Sequence, residues 1–551
     1  MLRHAPIAVA ILLFVGSIGC GGSSSKPDAG GLGGSGGGPG GTGLAGAGGT
    51  GTGGSAPPTG TRVLQGTEAA LLDLGAPCTN EEGATADRWC AIIAPSPLMP
   101  TNAALFVVNV TKVAAGTPVT CGGTDANCLK LTDTFGEDPD HPAMFRGDTL
   151  VYYDAATATP FGWRAGMTAG KALATLDSDA DAFCVPSAKG TAVYCVRLLP
   201  TAMQTDPTNV ALVDVLAGHL EDAATPPLAR IDTVIAGSAS DQAVTHFQVG
   251  FPVPGSETIA WSARTSASGA EVLKIQTMGN DASRATVATG INSWQVSPDG
   301  ARWYWLTNVS ETTGVGAVQS APFPAGTGPV ALASNVTQFE NPSPSSLLVI
   351  DTAKNLTFIA DPASPSAIGR SLDTGVASFL AFDGKGTVAY VKTIVSNADG
   401  SVRATDLFVK KTDGTGACAL TSMSDAYPFA FDFTASGSAA AWGQRTITSA
   451  AMQYTRFSDC VKMTVGANTV FFVQTIGDKG IVYLDGLDNA LGVATAKLRG
   501  IAADGALSAD PALVVSGQVG SLTVPAGTDM LVYAVNGGGD DDGVYVRPFG
   551  P

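Results

Sequence analysis

The chain has 551 residues, a formal net charge of −17, only 14% charged residues, and 69 glycines and 33 prolines. A surface this acidic, without a cluster of lysines or arginines, argues against nucleic acid as a partner because it repels phosphate backbones. Hydrophobic residues make up 45% of the chain. The sequence therefore predicts a folded protein with a substantial core rather than a wholly disordered chain.

The amino terminus has the pattern of an export signal. Arg3 precedes a short apolar run over residues 5–16, which is typical of a signal peptide and too short to span a bilayer. Residues 17–20, Ser-Ile-Gly-Cys, follow this run and resemble the lipobox of bacterial lipoproteins. The resemblance implies that residues 1–19 are the lipoprotein signal peptide and that Cys20 carries the lipid anchor, including palmitate. A glycine follows, which by the same analogy favours the outer membrane; the alternative is an ordinary secretory signal that contains Cys20 by chance.

Residues 20–60 form a candidate linker. Of the 40 residues from Gly21 to Gly60, 19 are glycine, so this segment cannot bury enough surface to offset its chain entropy and is predicted to be disordered. A flexible chain of this length spans roughly 35 Å, enough to hold the folded domain of residues 61–551 away from lipid headgroups.

Eight cysteines remain after Cys20, and an even number in an exported chain indicates disulfide bonds. Spacing pairs the first six locally, and elimination pairs the last two: Cys78–Cys90, Cys121–Cys128, Cys184–Cys195 and Cys418–Cys460. A metal site is the competing interpretation, but the sequence lacks the usual C-x-x-C pairs and has few histidines that could act as ligands.

A repeated β pattern organises the rest of the chain. Its copies share an apolar or aromatic residue, a polar turn often containing glycine, and a β-rich run that ends in an anchor residue, most clearly in residues 294–305, WQVSPDGARWYW. The anchors of nine copies are Tyr152, Tyr194, Trp261, Tyr304, Val349, Tyr390, Trp442, Tyr483 and Tyr533. Successive anchors are 42, 67, 43, 45, 41, 52, 41 and 50 residues apart. This period is typical of propeller blades, each a four-stranded antiparallel sheet.

The segment Val296-Ser-Pro-Asp-Gly300 resembles the repeat of TolB-like, WD-repeat-like bacterial propellers. The resemblance covers roughly residues 140–551 and concerns the fold alone. We expect an all-β fold, a β-propeller of about eight blades, between seven and nine; the alternative is a set of tandem β-sandwiches. Residues 61–135 are expected to form a first blade or a small disulfide-bonded cap. Residues 211–224 are the best candidate for a helix.

One acidic segment begins like a calcium loop. Asp177, Asp179 and Asp181 give the pattern D-x-D-x-D, but Ala182 replaces the required glycine and Ala188 the required acid, which excludes an EF-hand. A solvated turn is favoured over a cation site. No metal or other cofactor is therefore predicted, and these three aspartates are weak candidates.

No catalytic residues are predicted. The three histidines of the mature chain are scattered, and no serine sits in a credible nucleophile elbow. The leading hypothesis is a non-enzymatic, lipid-anchored envelope protein whose propeller binds a protein or polysaccharide partner at one face. The alternative is a propeller hydrolase or lyase acting on extracellular glycan or peptide, since 47 acidic residues allow many carboxylate pairs. A purely structural envelope component is a third class.

Overall fold

The structure is a computed structural model that describes residues 60–549 apart from gaps within that range. The gaps are 66–69, 72–76, 80–84, 97–102, 120, 122–124, 137–142, 175–181, 188, 190, 200–210, 223–226, 238–246, 254, 265–269, 311–312, 344, 365–368, 397–401, 422–425, 447–449, 468, 489–492, 510–511 and 538. The predicted signal peptide, and all but the last residue of the predicted linker, lie outside the described residues.

The described residues form 38 strands and one short helix, α1 (Val110–Ala114). The strands pair as antiparallel meanders, which we divide into units of four strands in chain order. Unit 1 contains β2 (Ala70–Leu71), β3 (Trp89–Pro95), β4 (Ala103–Asn109) and β5 (Cys128–Phe135); unit 2 contains β6 (Met144–Arg146), β7 (Thr149–Asp154), β8 (Thr159–Arg164) and β9 (Lys171–Ala172); unit 3 contains β10 (Ala182–Pro186), β11 (Ala192–Leu198), β12 (Ala211–His219) and β13 (Ala229–Gly237). Unit 4 contains β14 (Gln248–Gly250), β15 (Thr258–Arg264), β16 (Glu271–Thr277) and β17 (Asn280–Thr289); unit 5 contains β18 (Ile291–Val296), β19 (Arg302–Thr307), β20 (Gly316–Pro322) and the start of β21 (Val330–Ser343).

The second half of the chain follows the same order of strands. Unit 6 contains the end of β21, β22 (Ser346–Asp351), β23 (Leu356–Ala360) and β24 (Gly369–Asp373); unit 7 contains β25 (Ser378–Phe382), β26 (Thr387–Ser396), β27 (Val402–Lys411) and β28 (Cys418–Ala419); unit 8 contains β29 (Ala426–Phe433), β30 (Ala439–Thr446), β31 (Ala450–Arg456) and β32 (Lys462–Ala467). Unit 9 contains β33 (Thr469–Ile476), β34 (Gly480–Asp488), β35 (Val493–Gly500) and the start of β36 (Ala512–Thr523); unit 10 contains the end of β36, β37 (Met530–Val535), β38 (Gly543–Pro548) and β1 (Thr61–Gln65). The long strands β21 and β36 each pair with the preceding unit through their first residues and with the following unit through their last.

The chain ends meet in unit 10. Strand β1 pairs antiparallel with β38, so that Thr61 lies opposite Val546 and Gln65 opposite Gly543. Val63, at the centre of β1, is buried in the cluster between units 10 and 1. The first strand of the folded domain therefore completes the last unit and closes the ring.

Ten clusters of buried apolar side chains hold the units together, each drawing on two neighbouring units. Between units 1 and 2, for example, Leu105 packs with Phe145 and Trp163. The series closes on itself, because the cluster that contains Val532 of unit 10 also contains Ile92 of unit 1. The protein is therefore an all-β propeller, in which each sheet is covered on both faces, and not a set of tandem sandwiches.

The first strand of each unit is the inner strand and the fourth is the outer strand. Outer strands β17 and β24 are mostly exposed, as expected at a rim. Side chains of neighbouring inner strands reach one another: Gln248 of unit 4 donates to the main-chain oxygen of Trp294 in unit 5 (2.9 Å), and Gln474 of unit 9 does the same to Val524 in unit 10 (3.0 Å). The inner strands thus converge around the central channel.

The nine anchor residues all lie on the second strand of a unit, and all are buried. In this position each is paired on both edges by neighbouring strands and packs against an adjacent unit, which explains why large aromatic residues recur there. The recurring sequence pattern therefore marks one strand per unit. This is why the spacing of the anchors follows the spacing of the blades.

The described residues give ten units, so the expected count of about eight blades, at most nine, is wrong. Residues 70–135 form unit 1, a full four-stranded blade rather than a cap. It escaped the count because its second strand has its aromatic residue, Trp89, at the start and not at the end of the run, and carries Ile92 and Ile93 opposite an inner strand of only two residues. The predicted helix over 211–224 is wrong as well, since Ala211–His219 is strand β12.

The turn that carries the Ser-Pro-Asp-Gly segment joins β18 to β19. Gly300 has a φ of +70°, a left-handed conformation that glycine adopts without strain. Its N–H donates to the carbonyl oxygen of Ser297 (2.7 Å), while the carboxylate of Asp299 accepts from the N–H of Ala301 (3.0 Å). These contacts fold the segment into a tight turn between an inner and a second strand.

Four disulfide bonds join the same pairs that the cysteine spacing predicts. Three of them lie within unit 1 or unit 3. The fourth crosses between units, because Cys418 belongs to outer strand β28 of unit 7 and Cys460 to the turn before β32 of unit 8. Disulfides of this number indicate folding in an oxidising compartment outside the cytoplasm. In the part of the chain that is described, no helix is long and apolar enough to cross a bilayer.

Candidate functional site

The inner strands of units 5, 6 and 7 present a mixed polar and aromatic surface, which we call the channel face. It consists of Gln295 on β18, Glu340 on β21, and Phe379 and Phe382 on β25, all half-buried. An inner strand is covered by the second strand of its own unit and by the units on either side. The remaining exposure of these side chains is therefore toward the channel.

Strand β25 differs from a typical propeller strand. All five of its residues are half-buried, whereas strands such as β18 alternate with fully buried positions. The rings of Phe379 and Phe382 lie 5.5 Å apart between centroids and pack against the cluster of units 6 and 7. Part of each residue remains accessible, so the rings can contact another molecule.

The strand register within units 6 and 7 gives the positions of these residues relative to the anchor residues. Glu340 lies opposite Leu348, one residue before the anchor Val349 of its unit. Phe379 lies opposite the anchor of unit 7, Tyr390, and Phe382 lies opposite Val388, two residues before it. The carboxylate of Glu340 faces Gln295 of unit 5, and the two aromatic rings belong to the inner strand of unit 7.

Glu340 is held in an apolar setting with few charged partners. Gln295 donates a side-chain hydrogen bond to its carboxylate (3.2 Å), and the main-chain N–H of Asn341 is a second donor. Burial outweighs both hydrogen bonds and raises the pKa of Glu340 to about 7. The group therefore titrates near neutral pH, a property concentrated at functional sites.

This pKa predicts how stability depends on pH. The folded protein holds the Glu340 proton more tightly than the unfolded chain, so the contribution of this group is complete below the ordinary pKa of 4.5 and is lost as the pH rises to about 7. We expect Glu340→Gln to raise the free energy of unfolding by about 2 kcal/mol at pH 8, allowing for solvent screening of a half-buried group, and to change it little at pH 4. Urea unfolding of both proteins at the two pH values measures this. An equal difference at both would contradict it.

A second inner-strand carboxylate serves as an inter-unit contact. Asp432 of unit 8 accepts hydrogen bonds from the main-chain N–H (2.7 Å) and the hydroxyl (2.9 Å) of Thr475 in unit 9. It is 9% exposed, and burial raises its pKa to about 6. Both carboxylates contact a neighbouring unit, but Asp432 is buried and Glu340 is half-buried. We therefore assign Asp432 to the architecture and Glu340 to the candidate site.

Several residues singled out from the sequence lie outside the described residues: Cys20, Asp177, Asp179 and Asp181. Their predicted roles stay predictions. Within the described part of the chain, no group of three or more His, Cys, Asp or Glu side chains is placed to hold a metal ion.

The structure also brings together three residues that the sequence did not suggest as a group. Thr191, His219 and Glu257 meet at the junction of units 3 and 4, with Thr191 Oγ1 3.0 Å from His219 Nδ1 and His219 Nε2 2.6 Å from Glu257 Oε2. They are separated by 28 and 38 residues, and no local motif links them. Only the stacking of two neighbouring blades could have revealed the cluster.

Comparisons with known proteins give only distant similarities. No family model matches the chain, and no curated protein matches it. Among solved structures, the chain is similar to a eukaryotic initiation factor (11% identity, 78% of this chain, 96% of that chain, TM-score 0.44). It is also similar to the β-propeller domain of the trilobed protease from Pyrococcus furiosus (12%, 52%, 90%, 0.29) and to TolB from Acinetobacter baumannii (15%, 60%, 81%, 0.24). At these values the fold rests on the strand pairing of the chain itself: it is a ring of β-meanders closed by its own first strand.

Proposed function

We propose that this protein is a lipid-anchored envelope protein whose propeller binds a polysaccharide at the channel face, without transforming it there. The observation that supports this proposal most directly is the pair of half-buried rings, Phe379 and Phe382, on one inner strand, together with the hydrogen-bonded polar pair of Gln295 and Glu340 on the inner strands of the two preceding units. Aromatic rings offer a flat apolar surface to the C–H face of a sugar, while carboxyl and amide groups accept and donate hydrogen bonds to hydroxyls.

A neutral glycan fits this surface better than a charged one. The chain carries a net charge of −17, which repels uronate or phosphate groups. Glu340 and Gln295 offer both hydrogen-bond donors and acceptors without a fixed positive charge. A protein partner, the other class expected for this surface, needs a larger apolar patch. Among the described residues, the exposed large apolar side chain is that of Val461, at 41%, and one such residue does not make a patch.

The lipid anchor is the second part of the proposal. The lipobox-like residues 17–20 and the glycine-rich segment before residue 60 would hold the propeller outside the cytoplasm on an acylated tether, at the outer membrane. The disulfides support export and are compatible with this location. We expect radiolabelled palmitate to be incorporated in cells and Cys20→Ala to abolish the labelling. Equal labelling of both would remove the anchor from the proposal.

Affinity electrophoresis tests the binding surface. We expect the protein to be retarded in gels that contain the neutral glucans laminarin or dextran, and not in gels with the polyuronate alginate. Phe379→Ala should weaken the affinity for the glucan about 5- to 30-fold, because loss of one stacked ring costs about 1–2 kcal/mol.

The matched control is Phe358→Ala. Phe358 packs against the same cluster of units 6 and 7 but lies on the third strand, away from the channel. It should lower stability without changing retardation. No retardation by either neutral glucan, or an equal loss in both variants, would rule out the channel face as a glycan site.

A further inference from the structure

The cluster of Thr191, His219 and Glu257 at the junction of units 3 and 4 is formed by residues at the ends of three strands. Thr191 directly precedes β11, His219 is the last residue of β12, and Glu257 directly precedes β15. In antiparallel meanders these three positions fall on the same end of the sheets, and stacking of the two units brings them within hydrogen-bond distance. The grouping is thus a product of the propeller and not of a local motif.

Each of the three residues is also held by its main chain. The carbonyl oxygen of Thr191 accepts from the N–H of Leu220 (2.8 Å), that of His219 from Asp222 (3.0 Å), and that of Glu257 from Met278 (2.8 Å). These contacts fix the main-chain positions from which the three side chains project, and a fixed backbone is one part of the preorganisation that a reacting group requires.

We propose that Thr191, His219 and Glu257 form a hydrolytic centre for small acyl esters. The hydroxyl of Thr191 points at one ring nitrogen of His219 and the carboxylate of Glu257 binds the other, the arrangement of nucleophile, base and orienting acid that recurs on unrelated folds. The side chain of His219 is 25% exposed, so a substrate can reach the imidazole from solvent. This activity is separate from the channel face and does not depend on it.

The reaction proceeds in two balanced steps. Thr191 Oγ1 attacks the ester carbonyl carbon while its proton passes to His219 Nδ1; the C–O bond to the alcohol breaks, and the alcohol leaves with that proton. A water molecule then loses a proton to Nδ1 and attacks the acyl-threonine, which releases the carboxylic acid and restores the threonine hydroxyl. Throughout, Glu257 accepts the Nε2–H hydrogen bond and stabilises the imidazolium.

The setting favours esters over amides. The centre lies on an open face beside an exposed lysine, Lys189, whose Cβ lies 3.1 Å from the position that a Cβ on Gly255 would occupy. An open face of this kind stabilises a developing oxyanion less than a closed oxyanion hole does. An ester, with its better leaving group, needs less of it than an amide does.

Turnover of 4-nitrophenyl acetate by the full folded domain tests the proposal. We expect steady-state release of nitrophenolate by the parent protein, an acetyl group on the peptide that contains Thr191 during turnover, and a fall in kcat/KM of about 100-fold or more in Thr191→Val and His219→Gln. Glu257→Gln should lower the rate about tenfold. The matched control is Thr233→Val, which removes another threonine hydroxyl bound to a carboxylate, that of Asp214 (2.6 Å).

Two results would overturn the proposal. If Thr191→Val keeps the parental rate, the imidazole acts alone or the activity lies elsewhere. If the parent protein is no faster than a Thr191→Val/His219→Gln double variant whose melting temperature is unchanged, the three residues act only as a contact between units. Loss of glycan retardation would bear on the channel face and leave this test unaffected.

Discussion

Replacing Gly543 by valine is expected to lower the free energy of unfolding by about 4 kcal/mol and to open the ring. Gly543 lies opposite Gln65, at the point where β1 pairs with β38, and has a φ of +146°. A Cβ at this position would lie 2.1 Å from the main-chain oxygen of Leu64. Because that oxygen belongs to backbone, no side-chain rotation relieves the overlap, and β1 must move.

The cost is large because β1 is the closing strand. Displacing it exposes Val63, which is 4% exposed in the ring, and removes the main-chain pairing between β1 and β38. Burial of one valine contributes about 2 kcal/mol, and the loss of several hydrogen bonds adds to it. Both losses occur where β1 pairs with β38, two strands that no hairpin turn connects.

Thermal melting and limited proteolysis measure this effect. We expect a lower melting temperature for Gly543→Val and faster cleavage near residues 60–70. Gly539→Val is the matched control, since Gly539 lies in the same turn region and a Cβ there meets nothing within 4 Å. If the two variants have the same melting temperature, the closing strand contributes less to stability than the geometry indicates.

Removing the disulfide between units 7 and 8 is expected to cost about 4 kcal/mol in the Cys418→Ala/Cys460→Ala variant. The two cysteines are 42 residues apart, and a cross-link over a loop of this length restricts the unfolded chain by about that amount. The bond also ties outer strand β28, which has only two residues, to the neighbouring blade.

The control is Cys121→Ala/Cys128→Ala, which removes a bond across only 7 residues within unit 1. We expect a cost of about 2–3 kcal/mol there, together with no loosening of the junction between blades. Urea unfolding and hydrogen exchange of strands β28 and β32 measure the two effects. Equal losses of stability, with no change in exchange at the junction of units 7 and 8, would show that the bond does not act between blades.

The anchors show how far a sequence pattern can carry a fold prediction. Nine aromatic or apolar anchors located nine second strands, because a large side chain on that strand is buried wherever blades stack. Unit 1, the blade without an anchor, carries Ile92 and Ile93 in the middle of its second strand, and its inner strand is too short to give a period-two pattern. The count therefore missed the unit in which the recurring pattern is absent.

The prediction of a helix at strand β12 failed for a related reason. Its sequence, ALVDVLAGH, suits a short helix as well as a strand, since apolar residues recur at both spacings. Pairing with two neighbouring strands decides its structure, because it pairs along its length with β11 and β13. Long-range pairing overrides local preference in such segments.

The sequence by itself determined the repeating β unit, the pairing of the eight cysteines and the prediction of an exported, tethered chain, because these depend on residue types at fixed local spacing. The tertiary structure decided the number of blades, the closure by β1 and both candidate sites. The channel face and the cluster of Thr191, His219 and Glu257 arise from residues on different blades. Their proximity is set by inter-blade packing, which no short-range pattern records.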